Sequence, residues 1–331
     1  MNGPLSVSVP PYIRSRQAFN RVVWVVALAL LPAFIYGVVI FGVRPVIVTA
    51  VTILTCVGCE ALMQASRRQK ITIADGSAFL TGFLLALSLP PAVPLWLPVI
   101  GGFFAIVIVK QLFGGLGHNI FNPALAARAF LLVSCPGPMI TGWILPSGGS
   151  LSGIDTLTGA TPLTILKSPF LYGDPASVLS RFNGWTALRN IFFGNVGGCI
   201  GETSAFLLLI GGLFLLIAGI TDYRIVVGYF AGFAFLGLLL LNRVNLGINL
   251  FSGGLMLGAL FMAPDWVTSP VTKNGRWFFG AGCGILTVLL RRWGAYPEGV
   301  TFAILTMNML TPLLDRLTRE RIYGSRKELK K

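Results

Sequence analysis

Long runs of apolar residues without a single charge dominate this chain. Residues 22–43 and 77–109 contain no Asp, Glu, Lys or Arg, and the second run is 33 residues long. About 20 apolar residues in a helix are enough to cross the hydrocarbon layer of a bilayer. Backbone polar groups in lipid must be satisfied within the segment itself, so such a run folds as a helix. The runs therefore predict an all-α polytopic membrane protein.

Charged residues are few and lie at particular places. Only 11% of the 331 residues are charged, against about 25% in soluble domains. The formal net charge of +14 would suggest nucleic-acid binding in a soluble domain. Here most of the Lys and Arg residues flank the apolar runs, where they anchor and orient helices in a membrane. We therefore expect the partner to be a lipid membrane and not nucleic acid.

Charges and turn residues divide the apolar sequence into about ten transmembrane helices. Pro90, Pro91 and Pro94 break the 33-residue run into two, because proline lacks the amide hydrogen that a helix interior needs. The last two predicted spans are short. The predicted spans are residues 22–43, 45–63, 77–109 as two helices, 121–136, 203–221, 225–241, 244–263, 277–290 and 299–314.

The placement of Lys and Arg predicts the orientation. With the N-terminus in the cytoplasm, the cytoplasmic segments contain 17 basic residues, including Lys110, and the outer segments contain 7, including Arg291. This asymmetry follows the positive-inside rule. It predicts that both termini are cytoplasmic and that the long segment 137–202 lies on the outer side.

Two regions of the chain share an order of features. Ser77–Gly82 and Ser252–Gly258 each open a short span that ends at a proline, followed by a Gly-rich span, a glycine-containing turn and another short span. Five spans per half is an odd number, so we predict two inverted five-helix repeats with short or broken central helices. The predicted domains are a first repeat (1–136), an outer segment (137–202), a second repeat (203–314) and a basic cytoplasmic tail (315–331).

One polar stretch, Thr158-Gly159-Ala160-Thr161-Pro162-Leu163, lies in the segment that lacks a membrane pattern. The Thr161 hydroxyl is a group that a phosphate can esterify. Gly159 and Ala160 leave room for an enzyme to reach it, and Pro162 stiffens the exit. The alternative for these residue types is an ordinary polar loop.

Motifs along nearly the whole chain resemble one known family. They are Asp75–Gly82, Leu87–Pro91, Lys110–Ala124, Gly201–Ser204, Tyr296–Val300 and Tyr323–Gly324, besides the stretch ending in Thr161. With them the chain resembles the D subunit of the Rnf electron-transport complex and, through it, the B subunit of the sodium-pumping NADH:quinone oxidoreductase. In these families FMN is esterified to the last threonine of a Ser/Thr-Gly-Ala-Thr motif.

The resemblance implies a membrane subunit with covalent FMN at Thr161, flanked by Thr158, Gly159 and Ala160. It also allows a second, non-covalent flavin. It implies electron relay between reduced ferredoxin and NAD, coupled to movement of sodium ions or protons across the bacterial cytoplasmic membrane, with the flavin on the outer side. The implied partners are the A-, B-, C-, E- and G-type subunits and a flavin transferase for maturation. No Rossmann glycine fingerprint and no iron–sulfur cysteine set occur in the sequence, so the ferredoxin and NAD sites are expected on other subunits.

Four acidic residues at span ends or inside spans are candidates for an ion path. They are Glu60, Asp75, Glu202 and Asp265. Ionisable groups in this setting are functional candidates by default. The alternatives are ion pairing with Arg128, which lies inside the fifth span, or helix capping.

The remaining polar residues point to structural roles. We expect Asn119 and Asn122 to cap the fifth span. Cys56 and Cys59 have C-x-x-C spacing, but they lie in an apolar run, where helix packing is the favoured role. His118 is the only histidine, so no metal site is predicted.

Two other functions stay open. The inverted halves and the absence of a soluble catalytic domain would suit a flavin-free channel or transporter. The resemblance also extends to a subunit of a sodium-translocating NADH:quinone reductase, which would need a quinone pocket.

Overall fold

The computed structural model of the chain describes residues 16–68, 70–143, 163, 185–194, 196–240, 243–294, 296 and 298–319. Within these ranges all regular structure is helical. Two of the helices, Trp96–Phe103 and Leu255–Leu257, continue without interruption as π-helices, Phe104–Gln111 and Gly258–Met262. The helices are α1 (Arg16–Phe41), α2 (Arg44–Ser66), α3 (Ser77–Leu87), α4 (Trp96–Phe103), α5 (Pro123–Ser134), α6 (Pro136–Thr141), α7 (Trp185–Phe193), α8 (Ala205–Ile217), α9 (Tyr223–Leu240), α10 (Arg243–Phe251), α11 (Leu255–Leu257), α12 (Lys273–Trp293) and α13 (Val300–Leu317).

Several of these helices have the length and composition of membrane spans. Phe19–Phe41, Arg44–Ser66 and Tyr223–Leu240 are long and apolar enough to cross a bilayer. Four shorter helices are also apolar, namely Ser77–Leu87, Trp96–Gln111, Pro123–Ser134 and Ala205–Ile217. The all-α polytopic fold class predicted from the uncharged runs is confirmed. The inverted relation of the two halves and the domain boundaries stay predictions.

The long uncharged run breaks at its prolines, as predicted. Helix α3 ends at Leu87 and α4 begins at Trp96, so the three prolines lie in the connection between them. The predicted span 244–263 is also divided, into α10 and α11. The division lies at Ser252-Gly253-Gly254, where Gly253 has a φ of +65°, a value that glycine adopts without steric cost.

The ninth span is longer than predicted. Residues 277–290 form only the middle of α12, which has 21 residues. The prediction stopped at the charged residues Arg276 and Arg291, but the helix continues past both. A charge at the end of an apolar run can belong to the helix when a partner inside the protein satisfies it.

Small residues allow the closest helix pair to form. Helices α9 and α12 pack along Gly228, Gly232, Gly280 and Gly284. A Cβ atom at Gly232 would overlap the carbonyl group of Ala281, and one at Gly284 would overlap the carbonyl oxygen of Tyr229. Glycines at such an interface let two helix backbones approach closely, which is a common way of packing helices in membranes.

One apolar core joins both parts of the chain. It includes Leu30 from α1, Leu85 from α3, Leu208 from α8 and Phe233 from α9, all nearly or fully inaccessible to solvent. The first and second predicted repeats therefore share a single core within the described ranges. The charged side chains described below are embedded in or against this core.

Candidate functional site

The residues of the flavin motif, Thr158, Gly159, Ala160 and Thr161, lie outside the part of the chain that the structure describes. Leu163, two positions after Thr161, is described and only 5% exposed. Its side chain packs against Gly253, because a Cβ atom added at Gly253 would lie 2.6 Å from Leu163 Cδ1. Leu163 therefore packs against the turn between α10 and α11.

A buried charge cluster lies beside that turn. Arg128, from the middle of α5, donates to Glu202 Oε1 at 2.7 Å and also pairs with Glu298. Its side chain is 5% exposed, and those of the two glutamates are 1% and 13% exposed. The same guanidinium lies 3.3 Å from Cys199 Sγ. We call Arg128, Cys199, Glu202 and Glu298 the Arg128 cluster.

The Arg128 cluster joins distant parts of the sequence. Glu202 lies in the turn before α8, and Glu298 lies between α12 and α13. The alternative that Glu202 pairs with Arg128 is confirmed. Glu298 was missed as a partner, although its motif, Tyr296–Val300, already stood out in the sequence. Because Glu298 and Arg128 are far apart in the sequence, no local sequence pattern predicts their contact.

Arg291 is a second buried cation. The sequence assigned it to an outer segment after the ninth span; it lies in the last turn of α12 and is 7% exposed, and its side of the membrane stays a prediction. Its guanidinium donates to the backbone carbonyls of Asn249, Ser252 and Glu298. These bonds fix the turn at Ser252 and the segment that carries Glu298. The positive charge is satisfied by carbonyl dipoles, which is why it can be buried.

Lys110, which the sequence assigned to a cytoplasmic segment, is also buried, and the side of the membrane on which it lies stays a prediction. The side chain is 2% exposed, and Nζ lies 2.7 Å from Glu60 Oε1 and 2.6 Å from Ser77 Oγ. Gln111 donates to the same Glu60 oxygen at 2.9 Å. We call Glu60, Asp75, Ser77, Lys110 and Gln111 the Lys110 network.

Asp75 enters the Lys110 network through Ser77. Its Oδ1 accepts hydrogen bonds from Ser77 N at 2.9 Å and from Ser77 Oγ at 2.7 Å. Asp75 therefore bonds the first residue of α3, but it does not cap the helix, because the N-cap position is Gly76 and has no side-chain cap. The structure thus connects two of the four predicted ion-path acids, Glu60 and Asp75, through one serine and one lysine.

A cavity of about 150 Å³ opens next to the Lys110 network. Its polar lining includes Ser77, Thr81, Lys110, Asn119, Asn122 and Asp265, and the rest is mostly apolar. An apolar cavity with a few convergent polar groups is typical of a site for a small organic molecule.

Asp265 closes one side of this cavity. The carboxylate accepts from Thr268 Oγ1 at 3.1 Å and from Val267 N at 3.4 Å. Burial raises the pKa of the Asp265 carboxyl, while these hydrogen bonds act in the opposite direction. Asp265 and Lys110 therefore face one cavity, whereas Glu202 belongs to the separate Arg128 cluster.

The two asparagines differ in role. Asn122 caps α5, since its Oδ1 accepts from Ala124 N at 3.1 Å and from Leu125 N at 3.3 Å, which confirms the prediction. Its Nδ2 also donates to Met262 O, at the end of the π-helix. Asn119 does not cap the helix. It donates to Phe121 O instead and shapes the turn before α5.

The cysteines and the histidine offer little for a metal centre. Cys56 Sγ is buried in α2 and faces Gly102 O at 3.9 Å, as expected for helix packing. His118 is exposed. Among the described residues, the ligand atoms of Cys199, Glu202 and Glu298 lie within 4.8 Å of one another, but Arg128 already neutralises part of their charge.

The same chain matches a model of the NQR2, RnfD, RnfE family over residues 6–324. The chain belongs to this family. It is 44% identical over 320 residues to the D subunit of the Na⁺-translocating ferredoxin:NAD⁺ oxidoreductase complex of Acetobacterium woodii, covering 97% of this chain and 95% of the relative.

Other relatives have similar names but differ in the ion. The D subunit of the proton-translocating ferredoxin:NAD⁺ oxidoreductase complex of Clostridium ljungdahlii is 43% identical, with 97% of each chain covered. The D subunit of the ion-translocating oxidoreductase complex of Stutzerimonas stutzeri is 41% identical, with 93% of each chain covered. The predicted resemblance to the Rnf family is confirmed. Since one relative is named for sodium and another for protons, overall similarity does not identify the ion for this family member.

Proposed function

We propose that this chain is the membrane subunit of an Rnf-type complex, carries FMN on Thr161, and relays electrons between reduced ferredoxin and NAD in a reaction coupled to translocation of sodium ions or protons. The observation that supports this proposal most directly is the motif Thr158–Thr161, which lies within the region that matches the family. The motif also precedes a residue, Leu163, that is anchored in the protein core.

The subunit does not catalyse the full reaction by itself. The relatives are named as subunits of ferredoxin:NAD⁺ oxidoreductase complexes, and the sequence lacks the motifs for binding a dinucleotide or an iron–sulfur cluster. The A-, B-, C-, E- and G-type subunits supply the remaining electron carriers. A flavin transferase loads Thr161, and the complex resides in the bacterial cytoplasmic membrane with both ends of this chain inside.

Bound FMN supplies an electron carrier that passes electrons one at a time. The described residues near Leu163 suit a redox site at the edge of a membrane. Leu163 covers Gly253, and the guanidinium of Arg291 and the side chain of Glu298 lie beside the same glycine. Arg291 fixes the backbone around it through three carbonyl groups. These residues hold the chain on the C-terminal side of Thr161 in place.

The predicted ion-path acids divide between two places. Glu60, Asp75 and Asp265 lie in or beside the Lys110 network and its cavity, and Glu202 lies in the Arg128 cluster. We assign the ion path to these two groups. The cavity beside Lys110 is also where the described residues best fit the second, non-covalent flavin, because it combines an apolar wall with amide, hydroxyl and charged groups.

The test of covalent flavin is a gel experiment on the native complex. The complex is produced together with its flavin transferase, denatured and inspected for in-gel flavin fluorescence, and the peptide around Thr161 is weighed by mass spectrometry. Thr161→Ala should abolish the fluorescence of this subunit. Thr164→Ala, which removes a hydroxyl three positions away, is the matched control and should retain it.

A fluorescent band that persists in Thr161→Ala, or a matured wild-type subunit without flavin, overturns this assignment. The second outcome would favour the flavin-free transporter.

A quinone-reducing role is the second candidate, because the cavity beside Lys110 has the mostly apolar wall with a few polar groups that suits a small aromatic ring. The purified complex distinguishes the two roles. Reduction of NAD by reduced ferredoxin without added quinone supports the Rnf assignment, and electron transfer only to quinone supports the alternative.

A further inference from the structure

Helices α9 and α12 run parallel, so their N-terminal ends lie side by side. A Cβ atom added at Gly280 would overlap the carbonyl oxygen of Ile225, and one added at Gly284 would overlap that of Tyr229. Each step of four residues along α12 therefore matches a step of four residues along α9. It follows that the first turn of α9 and the first turn of α12 are neighbours.

One carboxylate, that of Asp222, holds an arginine of each first turn. Its Oδ2 accepts from Arg224 Nη1 at 3.4 Å and also pairs with Arg276 Nη1. Arg276 Nε donates to Pro270 O at 3.0 Å. A guanidinium has five N–H donors, and these are the only hydrogen bonds of the two guanidinium groups within the described ranges. Both side chains are partly exposed, so each guanidinium has donors at a fixed position for a ligand from outside.

Positive charge exceeds negative charge around these helix ends. Asp315 accepts from the backbone amides of Val271 and Thr272, which places the last turn of α13 against the start of α12. The described cations at the three helix ends are Arg224, Lys273, Arg276, Arg316 and Arg319, and the anions there and in the connection before α12 are Asp222, Asp265 and Asp315. Five cations and three anions leave a net charge of +2. The surface therefore favours an anionic ligand.

Exposed aromatic and aliphatic side chains adjoin the two arginines. The rings of Tyr223 and Trp277 are exposed, and their centroids lie 6.2 Å apart. Further along the two helices, Val227 of α9 is 47% exposed and Phe278 of α12 is 60% exposed. Helix α9 is long and apolar enough to span a bilayer, and Tyr and Trp are enriched where such helices pass the lipid headgroups. The arginines therefore lie at the level of the headgroups, next to residues that face acyl chains.

We propose that Arg224 and Arg276 bind the phosphate group of one anionic phospholipid, whose acyl chains lie along Val227 and Phe278. Guanidinium groups bind phosphate through paired hydrogen bonds, and basic pockets between membrane helices hold anionic headgroups. Basic residues at helix ends usually attract such lipids only diffusely. Here one carboxylate fixes two guanidinium groups side by side, which creates a site for a single headgroup. An acidic protein surface would match the charges but not the apolar residues beside them.

Photo-crosslinking in lipid nanodiscs tests this site. The purified complex is reconstituted in phosphatidylcholine with an increasing fraction of a phosphatidylglycerol that carries a diazirine on its acyl chain. Labelling of the peptide that contains Phe278, measured by mass spectrometry, should rise with that fraction and saturate. A phosphatidylcholine with the same diazirine should label this peptide at least about fivefold less at an equal fraction. Equal labelling by the two lipids overturns the proposal.

Two single substitutions show whether the labelling belongs to this site. Arg224→Gln should require at least about fivefold more phosphatidylglycerol for half-maximal labelling, while Arg276 still pairs with Asp222 and keeps the helix ends together. Arg292→Gln is the matched control, because it removes the same charge from an exposed residue at the opposite end of α12, and it should keep the wild-type value. Equal shifts in the two variants, or no shift in either, would show a diffuse attraction and refute a specific site.

The intact complex also distinguishes a lipid from a neighbouring subunit. If a partner subunit covers these helix ends, the peptide that contains Phe278 is not labelled by either lipid, and a lysine-reactive reagent cross-links Lys273 to that subunit. Such a result rejects the lipid site and assigns the surface to a protein contact. Saturable labelling by phosphatidylglycerol in the intact complex, with the shift in Arg224→Gln alone, supports the lipid site.

Discussion

At the scale of single residues, the buried charges of this protein are arranged in satisfied sets. Lys110 pairs with Glu60 and bonds Ser77, and Arg128 pairs with two glutamates. An isolated charge in a low-dielectric interior is very unfavourable, whereas breaking an existing pair leaves its partner without compensation. These residues are therefore sensitive to single substitutions in a way that surface charges are not.

Replacing Lys110 by methionine should destabilise the protein by about 3–5 kcal/mol, because Glu60 then becomes an uncompensated buried charge. Thermal unfolding in detergent measures the loss. The double variant Lys110→Met with Glu60→Gln removes both charges and should recover most of the stability. Equal losses in the single and double variants would contradict the importance of the pair.

Asp265 predicts a pH dependence of stability. Since burial raises the pKa of its carboxyl in the folded protein, the folded state binds more protons than the unfolded state between the two pKa values. The free energy of unfolding should fall as pH rises from about 4, the ordinary pKa of aspartate, through the raised pKa of Asp265 in the folded protein. At still higher pH, the loss of stability should remain constant.

Asp265→Asn should remove this part of the pH profile. The melting temperature of both proteins is compared across that pH range. A difference between them that is the same at every pH would rule out a raised pKa at this position.

At the scale of helices, glycine contacts and broken elements decide the packing. Helices α9 and α12 approach so closely that Cβ atoms at Gly232 and Gly284 would overlap backbone carbonyls of the other helix. Helix α12 carries Arg291 at its end, so its position also sets the position of the turn that Leu163 covers.

Gly232→Ala should destabilise the protein by about 1–3 kcal/mol, because the new methyl group forces two helix backbones apart. Gly58→Ala is the matched control. Gly58 also lies in a helix, but no heavy atom lies within 4 Å of a Cβ atom added there. The control should be neutral or stabilising by up to about 1 kcal/mol. Similar effects of the two substitutions on thermal unfolding would contradict close packing of α9 and α12.

At the scale of the whole molecule, each half contains a buried cation near the start of a short helix. Lys110 bonds Ser77 at the start of α3, and Arg291 bonds the carbonyl of Ser252 just before α11. This correspondence agrees with the repeat predicted from the sequence. If the halves are inverted, the start of α3 with Lys110 and the start of α11 with Arg291 face opposite sides of the membrane.

This orientation predicts the accessibility of single cysteines introduced into a cysteine-free variant. Thr158→Cys should react with a membrane-impermeant maleimide in intact cells that have a permeabilised outer membrane. Arg68→Cys should react only after the inner membrane is opened. The reverse pattern would place the flavin motif in the cytoplasm and contradict the proposed relay on the outer side.

The sequence by itself determined the membrane class and much of the helix pattern. Apolar runs predicted α1, α2 and α9, the prolines at 90–94 predicted the break between α3 and α4, and Asn122 predicted the cap of α5. These features are local, because an apolar run must become a helix in lipid and three prolines within five residues break it, whereas single prolines such as Pro32 lie inside a helix.

Only the tertiary structure decided where the charges go. The sequence assigned Lys110 and Arg291 to segments that flank the membrane because each ends an apolar run, and the structure buries both side chains. Their partners are residues that are distant in the sequence, such as Glu60 and Asn249. Glu298 and Arg128 are likewise far apart in the sequence but form an ion pair. Burial of a charge depends on whether the fold brings an opposite charge or a carbonyl to it. No local pattern contains that information, because it arises only when separate helices pack together.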